Sequence, residues 1–243
     1  MKKIVFAIMA LALTAGFAVA QDWAEIPGIA NDIAVGADGT VWIVGSESRG
    51  FLAFRWDDGA WVKAPREGWR RIACGKDGDA YAIDRDYKIF RWRNNDWQEL
   101  AGAATDIAVG ADGTVFIIGS ESKGHRIYKW DDGAWADFPG SNYKRVAVGP
   151  DGNPYVVSQD YKIYRWRNDT WQELAGAATD IAVGPDGNLF IIGSESKGNN
   201  AYRWDDGAWT KLPSNDFRNI AAGPDGQAWV TKGDDGKIFR LRK

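Results

Sequence analysis

Tryptophan recurs at Trp23, Trp61, Trp97, Trp135, Trp171 and Trp209, at spacings of 38, 36, 38, 36 and 38 residues. A period of this length, held along nearly the whole chain, constrains the architecture before any local propensity does. Each repeat is one supersecondary unit that must bury its apolar face against its neighbours. After each Trp comes a short run ending in glycine, such as Ile33-Ala34-Val35-Gly36, Ile107-Ala108-Val109-Gly110 or Ile220-Ala221-Ala222-Gly223. An x-Asp-Gly turn follows, as in Ala37-Asp38-Gly39 and Pro150-Asp151-Gly152, then a strand around Trp42, Tyr81, Phe116, Tyr155, Phe190 or Trp229. A last strand carries Arg55-Trp56, Arg91-Trp92, Lys129-Trp130, Arg165-Trp166 or Arg203-Trp204.

Odd and even repeats differ, so the duplicated unit is 74 residues long, at 23–96, 97–170 and 171–243; segments 97–134 and 171–208 match at 31 of 38 positions. Every segment reads as a strand of four to eight residues bounded by Asp-Gly turns. No stretch after residue 20 holds a 3.6-residue apolar period long enough for a helix. The expected fold is all-β, a six-bladed β-propeller of four-stranded antiparallel blades occupying 21–243. Blade one is expected near 31–36, 40–46, 50–57 and 61–64. In that frame the last blade has strands near 218–223, 227–232 and 236–241 and lacks an outer one. Asp22–Ile26 is the spare strand expected to pair with 236–241 and leave no open edge.

Residues 1–20 have a basic start, an apolar run from Ile4 to Val19 and an Ala18-Val19-Ala20 ending. That is the pattern of a signal peptide cut after Ala20, and it is shorter than the roughly 20 apolar residues that span a bilayer. The expected location is secreted or periplasmic, and the expected state a monomer. Without Lys2 and Lys3 the balance is −5, with both signs mixed, which opposes nucleic-acid binding. Cys74 is the single cysteine, so the core must hold without an intrachain disulfide; within an apolar run it reads as a buried filler rather than a reactive thiol.

The motifs Trp23-Ala24-Glu25-Ile26-Pro27-Gly28, Ile33 to Gly39, Trp42-Ile43-Val44 and Phe54-Arg55-Trp56 resemble the tectonin repeat, and the resemblance covers all six repeats. It departs where Ala101 and Ala175 replace Pro27 and where Leu241 replaces the Trp of strand three. The resemblance implies a propeller, and a lectin for lipopolysaccharide or other envelope glycans, or alternatively a protein-interaction scaffold.

Most of the 14 tryptophans are absorbed by recurring strand positions; Trp69 is left over. Its counterparts in the other even repeats are Tyr143 and Phe217, each followed by a base (Arg70, Lys144, Arg218), whereas odd repeats have Ala30, Ala104 and Ala178. Strand alternation places these aromatics on one face with Ser46-Glu47-Ser48-Arg49, Ser120-Glu121-Ser122-Lys123 and Ser194-Glu195-Ser196-Lys197, and with Tyr87 and Tyr161. Aromatic rings stack on pyranose C–H faces while Glu, Arg and Lys meet hydroxyls. The expected ligand site is therefore Trp69, Tyr143, Phe217, Tyr87 and Tyr161 with Glu47, Arg49, Glu121, Lys123, Glu195 and Lys197. The competing reading makes the loops solvated turns and the aromatics caps on the core. No cofactor or metal is expected, because the Asp-Gly pairs lack the remainder of a calcium loop. No enzyme is expected either: His125 stands in one repeat only, and no nucleophile elbow or HExxH motif occurs.

Overall fold

The computed structural model describes residues 22–214 and 216–242; the expected signal peptide lies outside them. The described residues are all-β and antiparallel, with three short 3-10 turns among them. Strand β1 (Trp23–Val35) is long and serves two layers: Trp23–Ile29 pairs with the C-terminal strand, and Ala30–Val35 pairs with β2 (Val41–Gly45). β3 (Ala53–Asp57) and β4 (Ala60–Lys63) complete that unit, and β5 (Trp69–Cys74), β6 (Ala80–Asp84) and β7 (Lys88–Arg93) begin the next. β8 (Asp96–Val109) repeats the arrangement of β1. Its first part pairs with β7 and its second with β9 (Val115–Gly119), followed by β10 (Ile127–Asp131) and β11 (Ala134–Asp137). Two four-stranded sheets follow, β12 (Tyr143–Val148) to β15 (Thr170–Leu174) through β13 (Pro154–Ser158) and β14 (Ile163–Arg167), then β16 (Ala178–Val183) to β19 (Ala208–Lys211) through β17 (Leu189–Gly193) and β18 (Ala201–Asp205). β20 (Phe217–Ala222), β21 (Ala228–Lys232) and β22 (Lys237–Leu241) join β1, with Trp23 opposite Leu241. Hydrogen bonding thus gives four sheets, two of seven strands and two of four, because β1 and β8 bridge adjacent layers.

Local chemistry explains the strand ends. The β3–β4 turn needs positive φ at both central residues, and Asp58 and Gly59 adopt 44° and 87°; Asn94-Asn95 and Asn168-Asp169 do the same in their hairpins. In the Asp38 turn the carboxylate accepts the Thr40 N–H at 2.9 Å, which fixes the bend before β2. β2, β9 and β17 are buried along their whole length, as strands between packed layers must be.

The core lies between neighbouring units. Trp42 and Val44 pack on Trp69, Ile72, Phe90 and Trp97, while Phe190 and Ile192 pack on Phe217, Val230 and Leu241 with Trp23. The outer-strand indoles repeat one hydrogen bond into the connector of the preceding unit. Trp61 donates to Pro27 O (2.5 Å), Trp97 to Pro65 O, Trp135 to Ala101 O, Trp171 to Pro139 O and Trp209 to Ala175 O. Trp23 donates to Pro213 O at 2.7 Å, across 190 residues. The first strands of successive units, β1, β5, β8, β12, β16 and β20, each touch the next, β20 also touches β1, and residues of all six line a central open cavity of about 100 Å³. Cys74 is buried beside it, donates to Thr40 O at 3.6 Å, and has its thiol pKa pushed well up by burial and by Asp38 and Asp79.

A candidate ligand-binding face

Three nearly identical turns stand at one end of the units. In the 3-10 turns Glu47–Arg49, Glu121–Lys123 and Glu195–Lys197 the preceding serine is extended, and Gly50, Gly124 and Gly198 close the turn at φ 67°, 66° and 70°. In each, the two serine hydroxyls meet at 2.9 Å, which shapes the loop from within. The Glu and Arg or Lys side chains are exposed. The expected strand 50–57 therefore starts only at Ala53, because the glycine and the positive-φ residue after it (Phe51, φ 53°) complete the turn.

Each turn is tied to the aromatic predicted beside it. Trp69 N–H donates to Phe51 O at 3.0 Å, Tyr143 N–H to His125 O at 3.1 Å and Phe217 N–H to Asn199 O at 3.0 Å. The same edge continues to the tyrosine loops, where Arg85 N–H donates to Gly68 O and Gln159 N–H to Asn142 O. The backbone thus brings together the segments expected from the sequence.

The expectation that Trp69, Tyr143 and Phe217 stack on a ligand is corrected by their burial. They are only 0 %, 7 % and 3 % exposed. Each ring turns inward under an outer-strand Trp: Trp69 lies 4.5 Å from Trp97, Tyr143 5.3 Å from Trp171 and Phe217 5.1 Å from Trp23. Burial drives the Tyr143 hydroxyl up to about 12. A large ring at the start of an inner strand gains more by filling the gap between layers than by facing water.

Tyr87 and Tyr161 behave differently. They are 37 % and 42 % exposed and hold left-handed backbones at φ 66° and 68°. Arg70 lies 4.9 Å over the Tyr87 ring and Lys144 4.1 Å over that of Tyr161. A bulky residue at positive φ costs free energy, and such strain concentrates where side chains have work other than packing.

A second cluster escaped the sequence reading. Asp32, Arg71, Asp106, Arg145, Asp180 and Asn219 each precede the first apolar residue of an inner-strand run. Arg71 bridges Asp32 (3.0 Å) and Asp106 (2.9 Å), and Arg145 Nε lies 3.0 Å from Asp180 without the alignment of a hydrogen bond. The other carboxylate oxygens accept the N–H of Ile72, Val146 and Ile220, at 2.9, 2.8 and 2.9 Å. Three carboxylates thus face two guanidiniums, since Asn219, bonded to Thr231, takes the sixth position. Burial outweighs Arg71 and raises Asp32 and Asp180 to about 6 and Asp106 to about 7. Burial would lower Arg71, but the surrounding carboxylates prevail and raise it. The detectable signal was a polar residue, charged in five of the six repeats, immediately before the Ile or Val at the repeat period.

Antiparallel units stacked around a polar axis define a β-propeller, a fold used for both binding and catalysis. Tectonin domain models match residues 68–155, 125–198 and 142–243, together more than half of the sequence, and the chain belongs to the tectonin domain family. It is 38 % identical over 55 residues to Tectonin-2 of Physarum polycephalum, covering 23 % of this chain and 15 % of that one. It is 28 % identical over 159 residues to immune protein Tsi7 of Pseudomonas aeruginosa, covering 58 % of this chain and 49 % of that one. The chain thus matches less than half the length of these curated relatives. Solved structures of similar fold include a streptogramin B lyase (18 % identity, TM-score 0.62, 91 % of this chain and 97 % of that one) and a gluconolactonase from Xanthomonas campestris (15 %, 0.66, 89 % and 87 %). At these identities the likeness is one of fold, and it leaves binding against catalysis to the site itself. No group of three or more potential metal ligands occurs among the described residues, and no described helix is long and apolar enough to cross a membrane.

Proposed function

We propose that this protein is an exported, multivalent carbohydrate-binding module, folded as a closed ring of six four-stranded blades with pseudo-threefold symmetry. The ring reading is supported by β1 pairing with β22 and by the Trp23 indole reaching Pro213 as the other outer tryptophans reach their preceding connectors. Export is supported by the pattern of residues 1–20, and N-terminal sequencing of the purified envelope protein should begin at Gln21.

The observation that carries the function is the threefold recurrence of one exposed turn with the same internal serine contact, presenting Glu47 and Arg49, Glu121 and Lys123, and Glu195 and Lys197. Carboxylates and bases at fixed spacing suit the hydroxyls of a sugar, and Tyr87 and Tyr161 offer exposed rings along the same edge. Three weak sites gain avidity on a repetitive glycan without any new contact.

A glycan array followed by calorimetry tests this. The triple variant Glu47→Gln, Glu121→Gln, Glu195→Gln should lose avid binding while its circular dichroism and melting stay unchanged. Full-strength binding by that variant would move the sites elsewhere. Silence of the wild-type protein across the array, together with capture of a protein partner from envelope extract, would favour a scaffold instead.

A further inference from the structure

The three even units carry the same loop between their second and third strands, but one is built differently. In two of them the Tyr87 and Tyr161 carbonyls accept the N–H of Ala104 and Ala178, each at 2.9 Å. In the third the carbonyl accepting from Ala30, at 2.8 Å, belongs to Gly236, with φ 68° against 66° and 68° for the tyrosines. Gly236 is therefore the structural counterpart of the tyrosines, displaced by one inserted residue in the loop Gly233-Asp234-Asp235-Gly236.

The substitution changes the surface. Arg70 and Lys144 are covered by tyrosine rings, whereas Arg218 has none above it and donates to Asn31 Oδ1 at 3.0 Å. Asn31 and the half-exposed Ile29 replace Thr105 and Ala103, or Thr179 and Ala177, at the other two junctions. The result is a depression of about 360 Å³ lined by Ile29, Asn31, Glu47, Phe51, Arg218 and Asp234. That volume lies at the small end of ligand pockets, roughly 300–1,000 Å³, with an apolar wall and a few convergent polar groups.

We infer that this junction is a single, non-repeated sugar pocket, and that it takes one hexose carrying a free amine. This rests on the glycan-binding reading above and refines it. The class follows from the lining: Arg218 and Asn31 suit hydroxyls, while Glu47 and Asp234 outnumber the one cation. Ile29 offers an apolar wall to a ring face, beside the edge of Phe51, whose ring carries the Arg85 guanidinium at 4.0 Å. Glu47 makes no ion pair among the described residues, and Asp234 uses one carboxylate oxygen for the Asp235 N–H at 2.7 Å.

The experiment uses D-glucosamine, with D-glucose as control, in calorimetry and saturation-transfer NMR on the whole protein. D-Glucosamine should bind once per chain, at least about tenfold tighter than D-glucose, since an ammonium adds a charge-assisted hydrogen bond. The filled variant Ile29→Ala with Gly236→Tyr brings in the alanine and the tyrosine of the other two junctions, while Asn31 and the inserted residue stay and a Cβ at 236 meets Ala30 O at 2.9 Å. With circular dichroism and melting as the folding control, it should abolish that binding. The separate variant Asp234→Asn, in an exposed turn, should weaken D-glucosamine about tenfold and leave D-glucose unchanged. Undiminished D-glucosamine binding by the filled variant, or equal affinity for the two sugars, overturns the pocket. If array glycans still bind the filled variant while D-glucosamine fails on the wild type, only the pocket falls. Silence of the wild type toward every glycan removes the broader reading as well.

Discussion

The ring of Phe217 lies 5.1 Å from that of Trp23, a residue 194 positions earlier in the chain. The same relation joins Trp69 to Trp97 and Tyr143 to Trp171, each within one unit. Trp23 thus does for the last unit what local outer strands do for the others, and these aromatic pairs hold the layers at the end where the exposed turns stand.

Truncating that pair should destabilise the whole fold rather than a ligand contact. Trp23→Ala and Phe217→Ala are each expected to cost about 3–5 kcal/mol in urea denaturation, and the double variant less than the sum because the rings share a contact. Strict additivity of the two would show that they do not support each other. Trp69→Ala should be equally severe, so loss of binding in that variant would report unfolding.

The tyrosine loops should respond in the opposite way. Tyr161→Gly removes a side chain held at φ 68° and should leave stability unchanged or raise it by about 0.5–1 kcal/mol. Glycan affinity should nonetheless fall about threefold to tenfold if the exposed ring stacks on sugar. A large loss of stability would mean the Lys144–Tyr161 contact is structural.

The axial acids set a pH dependence of unusual sign. Their folded pKa values, about 6 for Asp32 and Asp180 and about 7 for Asp106, lie above the ordinary carboxylate value of 3.8. The native state therefore holds these protons more tightly than the unfolded chain does. Their contribution to stability is greatest near pH 4, declines as pH rises to about 7, and is flat above that. At about 1.4 kcal/mol per pKa unit, with coupling limiting uptake to about one proton, the axis should lose about 1–3 kcal/mol between pH 5 and pH 8. Comparing denaturation midpoints of the wild type with Asp106→Asn isolates the axial share, since the variant should show a shallower slope.

Arg71 is the most buried counter-charge on the axis, bridging two carboxylates. Arg71→Met should cost about 3–5 kcal/mol at pH 8, where it strands ionised acids, and clearly less at pH 5, where they can protonate. An equal cost at both values would show that the carboxylates do not titrate in this range.

Cys74 should be inert in the folded protein. Its thiol is buried and shifted away from thiolate, so a disulfide-exchange reagent should label it only at the rate of global unfolding, with labelling accelerating in urea.

The repeat was legible in the sequence because Trp23 to Trp209 hold one strand position at a fixed period, and that position is read without any contact map. The Asp58-Gly59 hairpin, the three Ser-Glu-Ser turns and the burial of Cys74 follow equally from local chemistry. What only the tertiary structure decided is which way a side chain faces once layers stack. The sequence sets Trp69, Tyr143 and Phe217 beside the turns but cannot tell a ring that caps the surface from one drawn under Trp97, Trp171 or Trp23. The choice depends on the gap left by the neighbouring layer. The same limit hid the axis: Asp32, Arg71 and Asp106 lie 39 and 35 residues apart in sequence, and they become one charge network only where the inner strands converge. Gly236 shows both sides, since its place in the chain reads as an ordinary turn glycine, while its hydrogen bond to Ala30 makes it the counterpart of two tyrosines.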